Sequence, residues 1–472
     1  MIYKADQQII STYLKDASNY LGGSADKVII PESVDELVAF LKKNNQPITI
    51  SGAGTGMTAS RIPEAGLIVS LENFKNLGDV ANGFIDVGPA VSLADLNEHL
   101  ISTNYFYPPN PTETLASIGG TLATNASGSR SYKYGATRDY VLEADIVFVD
   151  GKKASLKRGL TIKSPLRLSD GKEIHFPNIK YTSPMCKNAA GYYIQPNMDW
   201  LDLFIGSDGT LGIFTRIRLK LLSCPAAFIS GILFFNTEEE CWILVDLIKK
   251  SNIESINPCS LEYFDERSLN RLRKEFENIP NKAKAALFFE NDIDKQTDYD
   301  YTQNVWFEFL NNKEVLLDHS WFAQSSKDLK RFHNFRHAIP VLINEENSRL
   351  RRLKIGTDMA VSDLHLLGMM KFYKDELEGS GVDFVVFGHL GDNHLHINLL
   401  PKKDQIEKAH EIYKILVNRI FEWKGTISAE HGIGKLKKKF FLQMVGESSL
   451  SELMGIKKLF DPRFLLGKGN IF

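Results

Sequence analysis

Two short glycine-rich segments near the C-terminus hold the side chains best equipped for chemistry. One is Gly388-His389-Leu390-Gly391-Asp392-Asn393-His394-Leu395-His396-Ile397-Asn398. The other is Ser428-Ala429-Glu430-His431-Gly432-Ile433-Gly434-Lys435. Together they carry four of the 11 histidines in the chain, and Glu430. Imidazole and carboxylate are the usual nitrogen and oxygen ligands of Zn²⁺, Fe²⁺ and Mn²⁺. Glycines beside them let backbone come close to a ligand. The pattern points to a metal-assisted site, and the rest of the chain must supply what that site acts with.

Several classes are excluded by bulk properties. A chain of 472 residues exceeds one hydrophobic core, so two or three domains are expected. A formal net charge of −2 offers no basic field for nucleic acid. Cys186, Cys224, Cys241 and Cys259 form no CxxC pair, which argues against iron–sulfur, zinc-ribbon and disulfide frameworks and leaves buried thiols as the expectation. Residues 1–10 lack the apolar core of a signal peptide, and no apolar run is long enough to span a bilayer.

The elements that must position the histidines can be read from periodicity. Val28 to Ile30 reads as a strand, Ser33 to Glu36 as a helix-opening capping box, and Ile48 to Ile50 as a second strand running into Gly52-Ala53-Gly54-Thr55-Gly56. Another helix is expected from Ser92, with Asp95 as its capping-box partner. Small residues dominate from Ala116 to Gly135, as in a segment laid against something flat. Strands follow at Ile146 to Val149 and, after the small cluster Gly206 to Gly212, at Phe214 to Leu222. Cys224-Pro225 reads as a domain boundary. Beyond it, Ile229 to Phe235, Ala285 to Phe289, Trp321 to Ala323 and Phe384 to Phe387 are strand-like. Glu238 to Lys250 is an amphipathic helix. His394 to Leu400 alternates, which puts His394, His396 and Asn398 on one face of a strand.

Taken alone, the glycine loop is ambiguous. Met57 occupies the sixth position of a G-x-G-x-x-G pattern, where a small residue is needed, although Glu72 lies at the distance expected of a ribose-binding acid. A tight turn explains the loop, and so does a cradle of N–H groups around a phosphate.

The order of the clusters carries a resemblance. The glycine loop is followed by Pro108-Pro109-Asn110-Pro111, Ser117 to Gly128, Tyr134 to Asp139, Gly206 to Ile213 and the two histidine segments. In this order the chain resembles the FAD-binding oxidoreductases of the vanillyl-alcohol oxidase and p-cresol methylhydroxylase superfamily. Within it, the resemblance is to the branch of D-lactate, D-2-hydroxyglutarate and glycolate dehydrogenases, over nearly everything from Val28 to Phe472. It implies an α+β fold: a two-part FAD-binding domain over 1–224, a cap domain on an antiparallel sheet over 225–425, and a segment 426–472 returning to the FAD domain. Carried over by motif, Gly52, Gly54, Thr55, Gly56, Ser117, Gly119, Gly120, Thr124, Gly128 and Ile213 should line FAD. No histidine lies in or beside the pyrophosphate loop, so the flavin is expected to be non-covalent. Asp208 stands where the family usually has Glu, and Ser51 near a position that is often Arg or Gly.

The resemblance also implies roles at the other end. His389, His396 and Glu430 match the ligands of a divalent ion, Zn²⁺, Mn²⁺ or Fe²⁺. His431 matches the catalytic base, Arg336 the clamp on the substrate carboxylate, and Asn398 a substrate-holding residue. Asn393-His394 departs from the commoner Gly-Asn, leaving His394 as a fourth ligand, a substrate contact or a flavin contact. His333 and His337 are expected to be structural. The implied reaction is oxidation of a D-2-hydroxy acid to the 2-oxo acid with hydride passing to flavin N5. The electrons would then leave to a quinone, an electron-transfer protein or oxygen. Alternatives are a non-redox flavoenzyme of the alkyl-glycerone-phosphate synthase type, a FAD-binding subunit of a larger oxidase complex, or a flavin-free metallohydrolase. The location implied is cytoplasmic, with the inner membrane face open as a peripheral site. No nucleic-acid partner is expected, and a homodimer is left open.

Overall fold

The computed structural model describes residues 1–472; strands up to Ser223 and strands from Ala227 onward share no sheet, which defines an N-terminal and a C-terminal half. The N-terminal half contains two four-stranded sheets. The first runs in the order Ile2–Lys4, Lys27–Ile30, Leu67–Ser70, Ile48–Ser51. Lys27–Ile30, Leu67–Ser70 and Ile48–Ser51 are parallel, and Ile2–Lys4 adds an antiparallel edge. Helix Val34–Lys43 buries Leu37 and Leu41 against it. The second sheet is antiparallel, in the order Phe84–Val87, Ile213–Lys220, Val141–Val147, Lys153–Lys157.

Local sequence rules decide where several elements begin. Helix Leu93–Leu100 opens on a complete capping box: the Ser92 hydroxyl accepts from Asp95 N, and the Asp95 carboxylate accepts from Ser92 N. At Ser33 only half of the expected box forms. The Ser33 hydroxyl accepts from Glu36 N, but the Glu36 carboxylate turns to Glu32 N and to the terminal amine of Met1. The free charge at the N-terminus outbids the neutral N–H of Ser33. Among the cysteines, Cys241 and Cys259 are buried, whereas Cys224 is exposed; all four are free thiols.

The C-terminal half is built on an eight-stranded sheet whose pairings are all antiparallel. Its main path is Trp321–Phe322, Ala227–Phe235, Ala285–Ile293, Ser260–Phe264, Phe384–His389, His394–Leu399, Ile355–Gly356; Met359–Ala360 also pairs with His394–Leu399. Glu238–Lys249 buries Trp242, Leu244, Val245 and Ile248, the stripe expected from spacing. The long helix Ser326–Leu350 buries Phe332, Phe335, Ile339 and Ile343 and accommodates Pro340. Pro340 has no N–H to offer the carbonyl one turn earlier, at Arg336. No helix is long and apolar enough to cross a membrane.

From Thr426 the chain goes back to the N-terminal half. Ser428 O accepts from Ala189 N at 2.8 Å, Thr58 O accepts from Lys435 N at 2.9 Å, and Ile48 exchanges bonds with Leu465 and Gly467. A buried ion pair within the returning segment supports this, and its Lys457 Nζ donates across to Thr210 O of the N-terminal half at 2.5 Å. Lys457 Nζ lies 2.7 Å from Asp461 Oδ2 and also donates to Leu466 O at 2.8 Å, with the two side chains 4% and 0% exposed. Removing one member strands a buried charge, so Lys457→Met should cost about 3–5 kcal/mol of stability. Arg167 and Glu173 form an exposed pair, and Arg167→Met should change stability by less than about 1 kcal/mol. Urea titration followed by tryptophan fluorescence measures both; equal effects would show that Lys457 does not anchor the return.

Candidate active site

A cavity of about 2460 Å³ lies between the two halves. All ten residues expected at the flavin line it, as do Arg336, His389, His396, Asn398, Glu430 and His431. His394 does not line it.

The glycine loop follows strand Ile48–Ser51. None of the N–H groups from Gly52 to Met57 donates to a backbone carbonyl, so they are free for an anion. A Cβ at Gly56 would meet nothing within 4 Å, whereas one at Gly128, where φ is +107°, would lie 2.3 Å from Asn110 O. Gly56 thus leaves room in the cavity, and Gly128 permits the close turn beside it. The Ser117 hydroxyl caps helix Ile118–Thr124 by accepting from Gly120 N at 3.3 Å. These features fit an extended cofactor with a pyrophosphate.

The histidine end is set by sheet register. His389 ends strand Phe384–His389, directly opposite Glu262 of Ser260–Phe264, and Phe387 pairs with His396 on the next strand. Cross-strand partners point to the same face, so Glu262 Oε1 lies 2.6 Å from His389 Nδ1. That contact leaves Nε2 of His389 facing the cavity. It lies 3.4 Å from Glu430 Oε1, His396 Nε2 lies 3.5 Å from the same oxygen, and His431 Nε2 lies 3.6 Å from it. Ligands at ~2.05 Å from a tetrahedral ion are separated by ~3.3 Å. The donor set and spacing fit a divalent ion on His389, His396 and Glu430.

Both halves hold the carboxylate in place. Glu430 Oε2 accepts from the Ser127 hydroxyl at 3.1 Å and lies 3.2 Å from Lys187 Nζ. Burial pushes Glu430 toward the protonated form, but Lys187 and His389 outweigh it and keep the group ionised. Burial would likewise lower His389, and Glu262 reverses this, pushing it up to about 9.

Asp358, Glu262 and Lys187 were not singled out from sequence. Asp358 is 2% exposed. Its Oδ2 lies 3.1 Å from His431 Nδ1, accepts from His431 N at 3.1 Å and from the Ser428 hydroxyl at 2.9 Å, and is paired with Lys437. Asp358 Oδ1 lies 2.9 Å from His394 Nε2, a close contact without hydrogen-bond alignment. His394 is therefore packed behind the site, and burial, followed by Lys187, keeps it neutral. It stays within 4.8 Å of the donor atoms of His389, His396 and Glu430. Asn393 holds the preceding turn at φ +53°, a conformation Asn tolerates.

Arg336 is 7% exposed, and its Nε has no partner. His337 contacts its guanidinium; burial and then the Arg336 charge push His337 down to about 4. His333 lies 3.0 Å from Glu290, which also takes two bonds from Arg130. His333 and His337 serve neighbouring charged groups and donate nothing to the histidine cluster.

The family model described as FAD linked oxidases, C-terminal domain, matches residues 225–471, and one described as FAD binding domain matches 25–156. Glycolate oxidase subunit GlcD of Bacillus subtilis is 26% identical over 98% of this chain and 92% of its own length. A D-lactate dehydrogenase of Anaerostipes hadrus is 27% identical over 98% and 93%. The D-2-hydroxyglutarate dehydrogenase of Stutzerimonas stutzeri is 22% identical over 99% and 95%. A solved structure of alkyldihydroxyacetonephosphate synthase superposes with a TM-score of 0.69 at 15% identity, covering 98% of this chain and 81% of that one. That likeness extends to the fold alone.

If Gly56 borders the pyrophosphate, a side chain there should enter cofactor space without disturbing the protein. Gly56→Val should weaken FAD binding by about 10-fold or more, the scale of local overpacking, with melting of the FAD-free protein unchanged. Gly455→Ala, also without neighbours, serves as control. FAD titration by fluorescence quenching checks this; undiminished affinity would remove Gly56 from the cradle.

Proposed function

The chain belongs to the FAD linked oxidases, and on that premise we propose that it oxidises a D-2-hydroxy acid to the 2-oxo acid with metal assistance. The observation carrying this reading is the convergence of His389, His396 and His431 on Glu430 Oε1 at 3.4–3.6 Å, in the cavity that the glycine loop also lines. The names of the relatives support the substrate class. The reading takes 1–224 as FAD domain, 225–425 as cap and 426–472 as the returning segment.

FAD, held non-covalently, would supply the two-electron acceptor, and a divalent ion on His389, His396 and Glu430 would supply Lewis acidity. The protein's own groups do the rest. Arg336 meets the substrate carboxylate with the planar fork that suits it and fixes the direction of the Cα–H bond. Asn398, 7% exposed on the strand that carries His396, holds the substrate beside it. Asp358 keeps the proton on Nδ1 of His431, so Nε2 is the atom that takes the hydroxyl proton. Lys187 and Ser127 hold Glu430 in place. The non-redox reading draws support from the fold alone.

Anaerobic addition of D-lactate, D-2-hydroxyglutarate or glycolate to the yellow holoenzyme should bleach the flavin with at least one of them. No bleaching by any D-2-hydroxy acid would refute the reading. Chelation should abolish the reaction and leave the flavin spectrum unchanged, as should His389→Ala; full activity in protein shown to be metal-free would reassign these histidines to structure. His431→Asn should slow flavin reduction by roughly 10²–10⁴-fold. Asp358→Asn should slow it by about 10²-fold or more while changing KM little, because Asn can donate to Nδ1 and turn the proton pattern around. A loss in KM alone would assign Asp358 to folding. Stopped-flow reduction separates the two effects.

A further inference from the structure

The cap sheet has a second face. Along strand Ser260–Phe264, Glu262 and Phe264 line the catalytic cavity, while Tyr263 points the other way. Along Phe384–His389, Phe387 and His389 line the catalytic cavity, and Phe384 and Val386 point away from it. A separate cavity of about 280 Å³ lies on that far face, floored by Tyr263, Phe384 and Val386. Two helices wall it. Glu238 and Trp242 stand one turn apart on Glu238–Lys249, and Met370, Tyr373, Lys374 and Leu377 form one stripe of Leu366–Glu378. None of the residues assigned above to flavin, metal or substrate borders it.

This cavity is lined by donors that lack acceptors and by acids that lack bases. Trp242 and Tyr373 are 4% and 1% exposed, and neither Trp242 Nε1 nor the Tyr373 hydroxyl has a partner. The Tyr263 hydroxyl lies near Trp242 Nε1 but is not aligned to accept from it. Buried donors left unpaired are costly. Asp265 is buried as well. Its oxygens accept from Ser268 N at 2.7 Å and Val386 N at 2.9 Å, and it forms no ion pair. Glu238 has one base near it, Lys374 at 3.7 Å, and Lys374 lies closer, at 2.9 Å, to Glu239 outside the cavity. The other base at the rim, Arg267, lies 3.6 Å from Asp383, also outside. Burial, and then the Glu238 charge, push Asp265 up to about 7. The uncompensated charge facing the cavity is negative, and much of the surface around it is aromatic. Aromatic faces beside carboxylates suit an ammonium group.

We propose that this cavity binds a small ammonium compound that carries an acceptor oxygen a few bonds from its nitrogen. The ammonium meets Glu238 and Asp265 beside the ring of Tyr263, and the oxygen accepts from Trp242 Nε1. An amino alcohol and an amino acid both have this chemistry. The site stands apart from the flavin and does not depend on the reaction proposed above.

Titration calorimetry of the holoenzyme tests it with three probes of equal length. They are 4-amino-1-butanol, n-pentylamine, which lacks the oxygen, and 1-pentanol, which lacks the charge. The amino alcohol should bind at least about 10-fold more tightly than either of the others, the scale of one well-placed hydrogen bond to a buried or charged group. Glu238→Gln should weaken both amines by a similar factor and leave 1-pentanol unchanged. Trp242→Phe keeps a ring and removes the N–H, so it should bring 4-amino-1-butanol down to the affinity of n-pentylamine. 4-Aminobutyrate, with a carboxylate in place of the hydroxyl, identifies the source of the oxygen: tighter binding than the amino alcohol marks an amino acid, weaker binding an amino alcohol. Equal affinity for all three probes, or no saturable binding of either amine, would overturn the site. So would amine binding that is unchanged in either variant, because the amines would then be held elsewhere.

Discussion

Asp208 fastens the segment that follows His431 onto the N-terminal half, and the geometry of the histidine cluster depends on that fastening. Its Oδ2 accepts from Ile433 N at 2.8 Å and Gly434 N at 3.0 Å, and its Oδ1 from the Ser60 hydroxyl at 3.3 Å. Burial pushes the carboxyl up to about 6, against the pull of those two N–H donors. The approach is close enough to dictate residue type. A Cβ at Gly432 would lie 2.5 Å from Asp208 Oδ1, and one at Gly434 would lie 2.1 Å from Thr58 O. Both glycines have positive φ, so a side chain there would be strained as well as crowded. The glycines of this segment serve docking, and Glu430 and His431 inherit their positions from it.

The cap contributes the opposite constraint, a rigid sheet. His389 faces Glu262 across one pair of strands, and His396 sits on the next strand. A one-residue slip would turn both histidines away from the cavity. Glu262 does more than pair. By engaging Nδ1 of His389 it fixes which nitrogen looks outward, as a carboxylate behind a metal-binding imidazole does. Asp358 does the same for His431 from the strand edge after Gly356. Two buried acids, each behind one imidazole, therefore set the directions of two nitrogens that face the same oxygen of Glu430.

The distinction between what could be read in the sequence and what could not follows from range. The capping box at Ser92 and Asp95 and the alternation from His394 to Leu399 are local, and local rules expose them. The two histidine segments stand out because their glycines and ligands are contiguous. Glu262 acts on His389 from 127 positions away and Asp358 on His431 from 73. A single acid inside a strand, such as the Glu262 of Ser-Leu-Glu-Tyr-Phe, has no neighbouring pattern to mark it. Its buried position on an apolar strand was the one available signal, since an ionised side chain there needs a partner. The failed half of the Ser33 box teaches the same lesson at short range: the competing partner, the amine of Met1, is outside the window that the motif examines.

The two constraints meet at one carboxylate. Glu430 turns Oε1 toward the cap histidines and Oε2 toward Ser127 and Lys187 of the N-terminal half. Lys187 is 9% exposed and also lies 3.5 Å from Asp392, in the turn between the two histidine strands. A single buried ammonium thus ties Glu430 to the cap while belonging to the other half. At low local dielectric such a group is stable only when both acids are in place. Separating the halves would expose Lys187, free Glu430 and leave His389 and His396 without their shared oxygen. The cap alone can aim its imidazoles, but the oxygen that His389 and His396 share comes from Glu430 of the returning segment. The glycine-loop half alone can cradle an anion but lacks the histidine strands. The proposed chemistry therefore belongs to the interface between them, where Glu430 and Asp392 offset the cost of burying the Lys187 charge.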